Sequence, residues 1–477
     1  MANDILSVGI DIGTSTTQVI FSRLTMENTA GYFAVPCISI VGKEVIYRGD
    51  IHTTPLLGRS LIDGEKVSQL VAGEFQRAGF APQDTRTGAV IITGESARKE
   101  NSAIVLQSLS RFAGDFVVST AGPDMEAIIA GKGSGAQSYS EQNHCTVVNL
   151  DIGGGTTNLA VFDRGEVIAK GCLDIGGRLI RLEEDLTVTY ISPSAQRVAL
   201  WRRVEIETGK KTTPQALAAI CEGMSLLLEQ LLGLAEPLPL LKELQTPGSS
   251  RFECPKPIDA ISFSGGVADC IYRSHQPDPF AYGDIGVLLG QAIRRGRLCS
   301  SFRLVSPRET IRATVVGAGV YTTRVSGSTI TYSDGLLPLQ SLPVLKLTPH
   351  EEEQCFAGED ALLARRMQWL LEQSQSERLV IALRGRQNPG YEPLKTLAGC
   401  IARAAEAALP PGQPVLVATE RDMAKALGQL LHSQLDGCRR LVSIDSVRVE
   451  QNDYLDLGAP VMNGLAIPVV VKTLILG

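Results

Sequence analysis

The stretch Val147–Phe162, VVNLDIGGGTTNLAVF, decides the fold of this chain. An apolar strand, an acid, three glycines, two threonines and a second strand together predict a hairpin with an open turn. Glycines lack a Cβ, so their backbone can approach a bulky anion and present N–H groups to it, while threonines add hydroxyl donors. Asp151 at the strand end can hold a hydrated divalent cation. The turn residues expected to bind phosphate are Gly153, Gly154, Gly155, Thr156 and Thr157. An ordinary glycine-rich hairpin is the alternative.

A second stretch, Ser7–Phe21 (SVGIDIGTSTTQVIF), repeats this order of residue types. It places an apolar strand before Asp11, then a glycine and a run of hydroxyl residues, then another apolar strand. Its expected phosphate-binding residues are Gly13, Thr14, Ser15 and Thr16. One such hairpin near the start of each half of the chain indicates an internal repeat, in which two similar lobes face one nucleotide.

The two hairpins resemble the phosphate loops of the actin, sugar kinase and heat-shock chaperone ATPase superfamily. Ile261–Val267 (ISFSGGV) looks like the adenosine motif of that superfamily, and 127–136 and 313–321 look like its two small-residue connecting helices. The resemblance implies an α/β fold, a two-lobed actin-like ATPase with duplicated ribonuclease-H-like lobes. The residues expected beside adenosine are Ser264, Gly265, Gly266 and Val267. A simple strand-to-helix turn is the alternative at this motif.

Three acids are candidates for catalysis. Asp11 and Asp151 end the first strand of each hairpin and are also the expected Mg²⁺-binding residues. Glu95 follows a predicted strand at 88–93, where a polar cluster suits a ligand site, although a helix N-cap at this point is the alternative. In heat-shock chaperones an acid precedes the proline of the first connecting segment and helps to position water. Gly122 stands at that position here, so the identity of the general base is open.

The chain is expected to divide into three parts. Residues 1–140 form the first lobe, with a small inserted subdomain at 31–85, and 141–335 form the second, with an insertion at 183–257 and a connecting helix at 313–323. Residues 336–477 form a C-terminal α/β domain with a βαβαβ unit. Further expectations are a helix at 66–78, a strand at 115–120, a glycine turn entering a helix at 174–179, an amphipathic core helix at 214–234 and a strand at 327–332.

Composition excludes several function classes. The 477 residues are 44% hydrophobic and 20% charged with a formal net charge of −6, which gives no reason to expect nucleic acid or an anionic membrane as partner. No apolar run approaches membrane-spanning length. The ten cysteines form no CxxC pair and the five histidines are dispersed, so reduced thiols are expected rather than disulfides or a zinc site.

Within the superfamily, the chain most resembles the ethanolamine ammonia-lyase reactivating factors. The matching wording includes LSVGIDIGTSTTQVIFSRL at 6–24, IITGESA at 91–97, LDIGGGTTNLAVFD at 150–163 and TIRATVVGAGVYT at 310–322. The resemblance implies a chaperone that binds ethanolamine ammonia-lyase and uses ATP and Mg²⁺ to exchange damaged cobalamin in that client for intact adenosylcobalamin. It also implies a place in the cytoplasm, with a bacterial microcompartment as a further option, and leaves self-association open.

Two other functions stay open on the residues alone. A small-metabolite kinase shares the fold, but it needs a general base for a substrate hydroxyl, and no acid in a connecting segment is evident. A non-catalytic, nucleotide-gated scaffold is the second, and Gly122 favours it.

Overall fold

A computed structural model gives the fold of the chain. It describes residues 3–29, 38–58, 61–94, 96, 99–109, 112, 122–273, 278–321, 323–326, 330–435, 437, 439–451, 453–462 and 464–473. Two five-stranded sheets and one eight-stranded sheet organise these residues. The strand expected at 115–120 lies outside the described residues. No helix within the described ranges has both the length and the apolar character needed to cross a membrane.

The first lobe is built on the sheet that contains the first hairpin. Its elements are β1 Asn3–Ile12, β2 Thr16–Asn28, β3 Ile38–Arg48, β4 His52–Thr53, β5 Leu56–Leu57, β6 Leu61–Ile62, α1 Gly64–Ala78, a 3-10 turn Pro82–Asp84, β7 Thr85–Ile92 and α2 Ser102–Leu109. The strand order is β3-β2-β1-β7, with antiparallel pairs except the parallel pair β1–β7, and β4 pairs with β2. The expectation of a separate subdomain at 31–85 differs from the structure, because β3 and β4 belong to the main sheet of the lobe.

The second lobe repeats this arrangement. Its elements are β8 Thr146–Ile152, β9 Thr157–Asp163, β10 Glu166–Leu173, β11 Ile180–Leu182, β12 Val188–Ile191, α5 Pro193–Trp201, α6 Pro214–Leu231, α7 Leu240–Glu243, β13 Ala260–Ser264, α8 Ala268–Tyr272, α9 Gly286–Arg295, α10 Leu298–Ser301 and β14 Arg303–Leu304. The order β10-β9-β8-β13-β14 has two antiparallel pairs followed by two parallel ones. Both lobes share this strand order. In each lobe the first strand of the hairpin, β1 or β8, has an antiparallel neighbour on one side and a parallel neighbour on the other. The expected duplication is therefore confirmed.

The strand register shows that the two hairpins also match residue by residue. Asp11 on β1 pairs across the hairpin with Gln18 on β2, and Asp151 on β8 pairs with Asn158 on β9. Each lobe therefore presents a carboxylate beside a side-chain amide at the same point of its first hairpin.

Two expectations for the second lobe differ from the structure. The glycine turn at 174–179 leads into β11, which pairs with β12, and not into a helix. The insertion expected at 183–257 contributes to the main core, since α5 and α6 pack against β8 and β9 within one cluster of buried residues. The apolar stripe of α6 is core as expected, with Leu217, Ile220, Cys221, Met224, Leu227 and Leu228 fully buried.

The two connecting helices cross at backbone contact distance. α3 Pro123–Gly133 is followed by α4 Ala136–Asn143, and α11 is Ala313–Tyr321. A Cβ added to Gly133 would lie 1.8 Å from the Ala313 carbonyl oxygen, and one added to Gly317 would lie 2.0 Å from the Ile129 carbonyl oxygen. Only glycine allows this approach, so the small-residue pattern predicted the crossing correctly.

The C-terminal part is organised by the eight-stranded sheet. Its elements are β15 Thr323–Ser326, β16 Thr331–Tyr332, β17 Leu339–Lys346, α12 Pro349–Phe356, α13 Ala361–Ser374, β18 Val380–Leu383, α14 Tyr391–Ala408, β19 Val415–Thr419, α15 Ala424–Gln434, β20 Leu441–Ile444, β21 Asp453–Leu457 and β22 Ile467–Thr473. Strands β17 to β20 are parallel with helical crossovers, which confirms the βαβαβ unit. The sheet recruits β15 and β16, so it begins before the predicted boundary at 336. Of the strand expected at 327–332, the described part is β16.

Candidate functional site

A cleft of about 600 Å³ lies between the two duplicated hairpins. It is lined from both lobes by backbone and side chains of the phosphate loops and the adenosine motif. The predicted residues that line it are Asp11, Gly13, Thr14, Ser15, Thr16, Asp151, Gly153, Gly154, Gly155, Thr156, Gly265, Gly266 and Val267. The sequence motifs are thus brought together in space.

Three predicted residues are placed differently. Thr157 does not line the cleft, because its hydroxyl is fully buried and donates to the Ile175 carbonyl at 2.8 Å. Ser264 lies behind the cleft surface, where its hydroxyl donates to Asp151 Oδ1 at 2.6 Å. Glu95 lies outside the described residues. Thr157 and Ser264 therefore support the site from within the second lobe rather than from its surface.

The turns of both hairpins close in the same way. Gly13 N–H donates to the Thr16 carbonyl at 2.8 Å, and Gly153 N–H donates to the Thr156 carbonyl at 3.0 Å. The loops also meet across the cleft, because a Cβ on Gly154 would lie 2.6 Å from Ser15 Oγ. At the adenosine motif, Gly265 has φ +85° and a Cβ there would lie 2.4 Å from the Ile152 carbonyl oxygen. Glycine is required at Gly265, where the contact is with backbone and φ is positive, whereas at Gly154 the Ser15 side chain could move.

Asp11 is a buried carboxyl at the end of β1. Burial, partly offset by a hydrogen bond that Thr93 Oγ1 donates at 3.0 Å and reinforced by the negative charge of Asp151, raises the pKa of Asp11 to about 7. The carboxylate form is therefore costly here unless a positive charge is close.

Asp151 is the equivalent carboxyl of the second lobe. Burial raises the pKa of Asp151 to about 6, although Ser264 and Thr314 donate hydrogen bonds to its two oxygens at 2.6 and 3.4 Å. Thr314 belongs to the first turn of α11 and also lines the cleft. The connecting helix thus contacts the acid of the second phosphate hairpin directly.

A third buried carboxyl of the cleft, Glu126, was missed by the sequence analysis. It lies on α3, lines the cleft and is 8% exposed. Burial and then the negative charges of Asp151 and Asp11 raise the pKa of Glu126 well above its usual value. The available signal was its spacing, because Glu126 comes four residues after Gly122, which is one helical turn.

Arg178 is the second residue missed by the sequence analysis. It lies at the end of the glycine turn that follows the second hairpin, where its N–H donates to the Gly154 carbonyl at 2.7 Å. Its Nε atom is buried without a hydrogen-bond partner among the described residues, and the nearest acid, Asp284, lies 3.6 Å away. Burial, and then repulsion by Arg181, lowers the pKa of Arg178.

The charges that line the cleft are strongly unbalanced. The described lining offers the guanidinium of Arg178 against five carboxyl groups, Asp11, Glu126, Asp151, Asp269 and Asp284. A polyphosphate entering this cleft needs a divalent cation to offset the repulsion. Asp11, Asp151 and Glu126 do not form a cluster of three ligand atoms within 4.8 Å of one another among the described residues.

Another group of acidic and histidine side chains does lie within that distance. Asp50, His52 and Glu74 form this group, but Arg77 already forms ion pairs with Asp50 and with Glu74. Part of their negative charge is thus already offset by a protein cation.

Comparisons with known proteins place this chain in a family. A family model described as "Ethanolamine utilisation protein EutA" matches residues 3–477. The chain is 38% identical over 476 residues to the ethanolamine ammonia-lyase reactivase EutA of Salmonella typhimurium (strain LT2), and 36% identical over 473 residues to that of Escherichia coli (strain K12). Each alignment covers 98% of this chain and 98% of the relative.

Solved structures of similar shape are more distant. The Ppx/GppA phosphatase of Aquifex aeolicus matches 66% of this chain and 99% of its own with a TM-score of 0.38 and 15% identity. The ethanolamine utilization protein EutJ of Carboxydothermus hydrogenoformans matches 66% of this chain and 89% of its own with a TM-score of 0.33 and 15% identity. The full-length sequence matches are decisive. The chain therefore belongs to the ethanolamine utilisation protein EutA family.

Proposed function

We propose that this protein is an ATP-dependent reactivase of ethanolamine ammonia-lyase. In this function it binds the lyase and promotes release of damaged cobalamin, so that intact adenosylcobalamin can enter. The observation that carries the proposal is the match to two curated reactivases along 98% of the chain. The cleft would bind the ATP whose hydrolysis drives that activity. The cobalamin belongs to the client enzyme.

The cleft fits a nucleotide triphosphate on its own chemistry. Ser15 Oγ and Arg178 Nε are buried polar donors without a hydrogen-bond partner among the described residues, and both belong to residues that line the cleft. Buried polar groups are normally paired, so orphaned donors beside two glycine turns indicate an anionic ligand. Phosphates that bridge the two turns would satisfy these donors and hold the lobes together.

Asp11 and Asp151 are the residues that would hold hydrated Mg²⁺. The ion would offset the charge of the phosphates, which the protein cannot do with Arg178 alone. Burial raises the pKa of both acids, so a divalent cation beside them would favour their charged forms. This protein therefore needs the cation for nucleotide binding as well as for hydrolysis.

A direct structural route leads from the cleft to the C-terminal sheet. The first turn of α11 contacts Asp151 through Thr314, and β15 begins two residues after that helix ends. β15 pairs with β22, whose Val470 packs in one buried cluster with Ile129 of α3 and Ala318 of α11. A change in the angle of the crossed helices would therefore move the C-terminal sheet and, through that sheet, act on a client.

A rescue assay tests the proposed function. Ethanolamine ammonia-lyase inactivated with cyanocobalamin receives this protein, ATP, Mg²⁺ and adenosylcobalamin, and product is followed over time. We expect recovery that requires ATP and falls to background with Asp151→Asn, because the cation site is lost. The matched control is Asp163→Asn at the other end of the same hairpin, which pairs with Lys256 outside the cleft and should leave recovery intact. Absence of recovery by a protein that binds ATP would refute the client.

Arg178 provides a second prediction. Substitution Arg178→Ala removes the cation of the cleft lining, and we expect the affinity for Mg-ATP to fall about tenfold, as for loss of one charge-assisted hydrogen bond. Arg197→Ala is the control, since Arg197 lies on α5 and interacts with Glu243 away from the cleft. Titration calorimetry measures both variants. Equal affinities would show that Arg178 does not contact phosphate.

A further inference from the structure

Glu126 is a buried carboxyl of the cleft to which neither the sequence motifs nor the family comparison gives a role. It lies in the first turn of α3, and its N–H donates to the Gly122 carbonyl at 3.0 Å. The side chain starts one turn beyond the position where heat-shock chaperones carry their acid, yet it reaches the same cleft. A carboxyl group is thus present at the junction of the lobes although Gly122 has none.

The carboxyl of Glu126 faces both lobes. The backbone of Gly94, at the end of β7, and the side chain of Asn158, on β9, both favour its charged form and so lower its pKa in part, against the larger effect of burial. The helix beneath cannot shift easily, because Gly131 of α3 packs so closely on Phe162 that an added Cβ would lie 2.5 Å from the ring. The carboxyl is therefore held at a defined point between the two phosphate turns.

An unpaired oxygen lies next to this carboxyl. The side chain of Asn158 favours the charged form of Glu126, and its Oδ1 atom is buried without a hydrogen-bond partner among the described residues. A water molecule placed between Glu126 and Asn158 Oδ1 would donate one hydrogen to each oxygen. Its lone pair would then remain free to attack, which is the geometry that hydrolysis requires.

We propose that Glu126 is the catalytic residue that orients the attacking water and takes its proton, in place of the acid missing at Gly122. The water oxygen bonds to the γ-phosphorus of ATP, and the bond from that phosphorus to the bridging oxygen breaks, with its electron pair leaving on ADP. The proton of the water passes to the Glu126 carboxylate, and the products are ADP and inorganic phosphate. This assignment rests on the nucleotide function proposed above and identifies the base that the sequence left open.

Single-turnover hydrolysis by Glu126→Gln tests the proposal on the full-length protein. Glutamine keeps the size of the side chain and one acceptor oxygen, but it cannot take a proton. We expect the hydrolysis rate of bound Mg-ATP to fall about 100-fold or more, as for loss of a general base. The dissociation constant for Mg-ATP should stay within about threefold, and the melting temperature should not fall, since a buried charge is removed.

Asp124→Asn is the matched control, because Asp124 is a buried acid on the same helix that faces Ser250 and Lys170 rather than the cleft. It should hydrolyse bound ATP at the wild-type rate. Wild-type hydrolysis by Glu126→Gln, or ATP binding by the wild-type protein without any hydrolysis, would overturn the role of Glu126. A wild-type protein that does not bind Mg-ATP would instead overturn the proposed function, so the two failures are distinguishable.

Discussion

Gly133→Ala is expected to destabilise the protein by about 3 kcal/mol or more and to weaken Mg-ATP binding. The added methyl would lie 1.8 Å from the Ala313 carbonyl oxygen, and backbone cannot yield as a flexible side chain does. The crossed helices α3 and α11 must therefore separate. Because these helices carry Glu126 and Thr314, their separation also disturbs the cleft. Chemical denaturation and nucleotide titration measure the two effects.

A glycine-to-alanine substitution at Gly73 is expected to change stability in the opposite direction. This residue lies within α1, and the nearest atom to an added Cβ is Arg77 Nη2 at 3.9 Å. Alanine is a better helix former than glycine, so Gly73→Ala should stabilise the protein by about 0.5 to 1 kcal/mol and leave nucleotide binding unchanged. If Gly133→Ala were equally harmless, the close helix crossing would be wrong.

The duplicated lobes were predictable because their signal is local. Each hairpin joins an apolar strand to an acid, glycines and hydroxyl residues within about sixteen positions, and the register of each hairpin follows from its turn. The membership of β15 in its sheet was not predictable from such signals. β15 is a four-residue strand whose partner β22 lies far away in sequence, and long-range pairing of this kind leaves no local pattern. β3 pairs with β2, the preceding strand, and was missed because the turn formers within 31–85 favoured a separate subdomain.

The parts of the site that consist of backbone groups were predictable from the sequence. The parts that depend on the direction of a side chain were less predictable. Glycine turns identify themselves by composition, so both phosphate loops were found. Glu126 and Arg178 reach the cleft because of how α3 and the turn after β10 are oriented. The distance of one helical turn from Gly122 was a signal for Glu126, and Arg178 had no comparable signal. Thr157 shows the converse, since its residue type suited a phosphate loop but strand alternation directs its hydroxyl to Ile175.

Asp11→Asn is expected to separate stability from function. In the wild-type protein without divalent cation, the pKa of Asp11 is raised to about 7, whereas an unfolded aspartate titrates near 3.8. The native state thus binds this proton more tightly than the unfolded state. The resulting stabilisation is fully present below about pH 4 and is lost as the pH rises through about 7. From pH 5 to pH 7 the free energy of unfolding should fall by about 2 kcal/mol through this group alone.

Asparagine stays neutral over that range, so in EDTA the variant should lose less stability than the wild-type protein between pH 5 and pH 7. Thr93 can still contact the side chain, and the fold is retained. With Mg²⁺ present the order reverses for function, because one of the two carboxylates that hold the hydrated ion is gone. Mg-ATP affinity should fall about 10- to 100-fold. This is the usual loss of metal affinity when a residue that hydrogen-bonds the ligands of the metal is removed. If the free energy of unfolding of the two proteins in EDTA changed with pH in parallel, the pKa of Asp11 would not be raised. If the affinity for Mg-ATP were unchanged, Asp11 would not hold the cation.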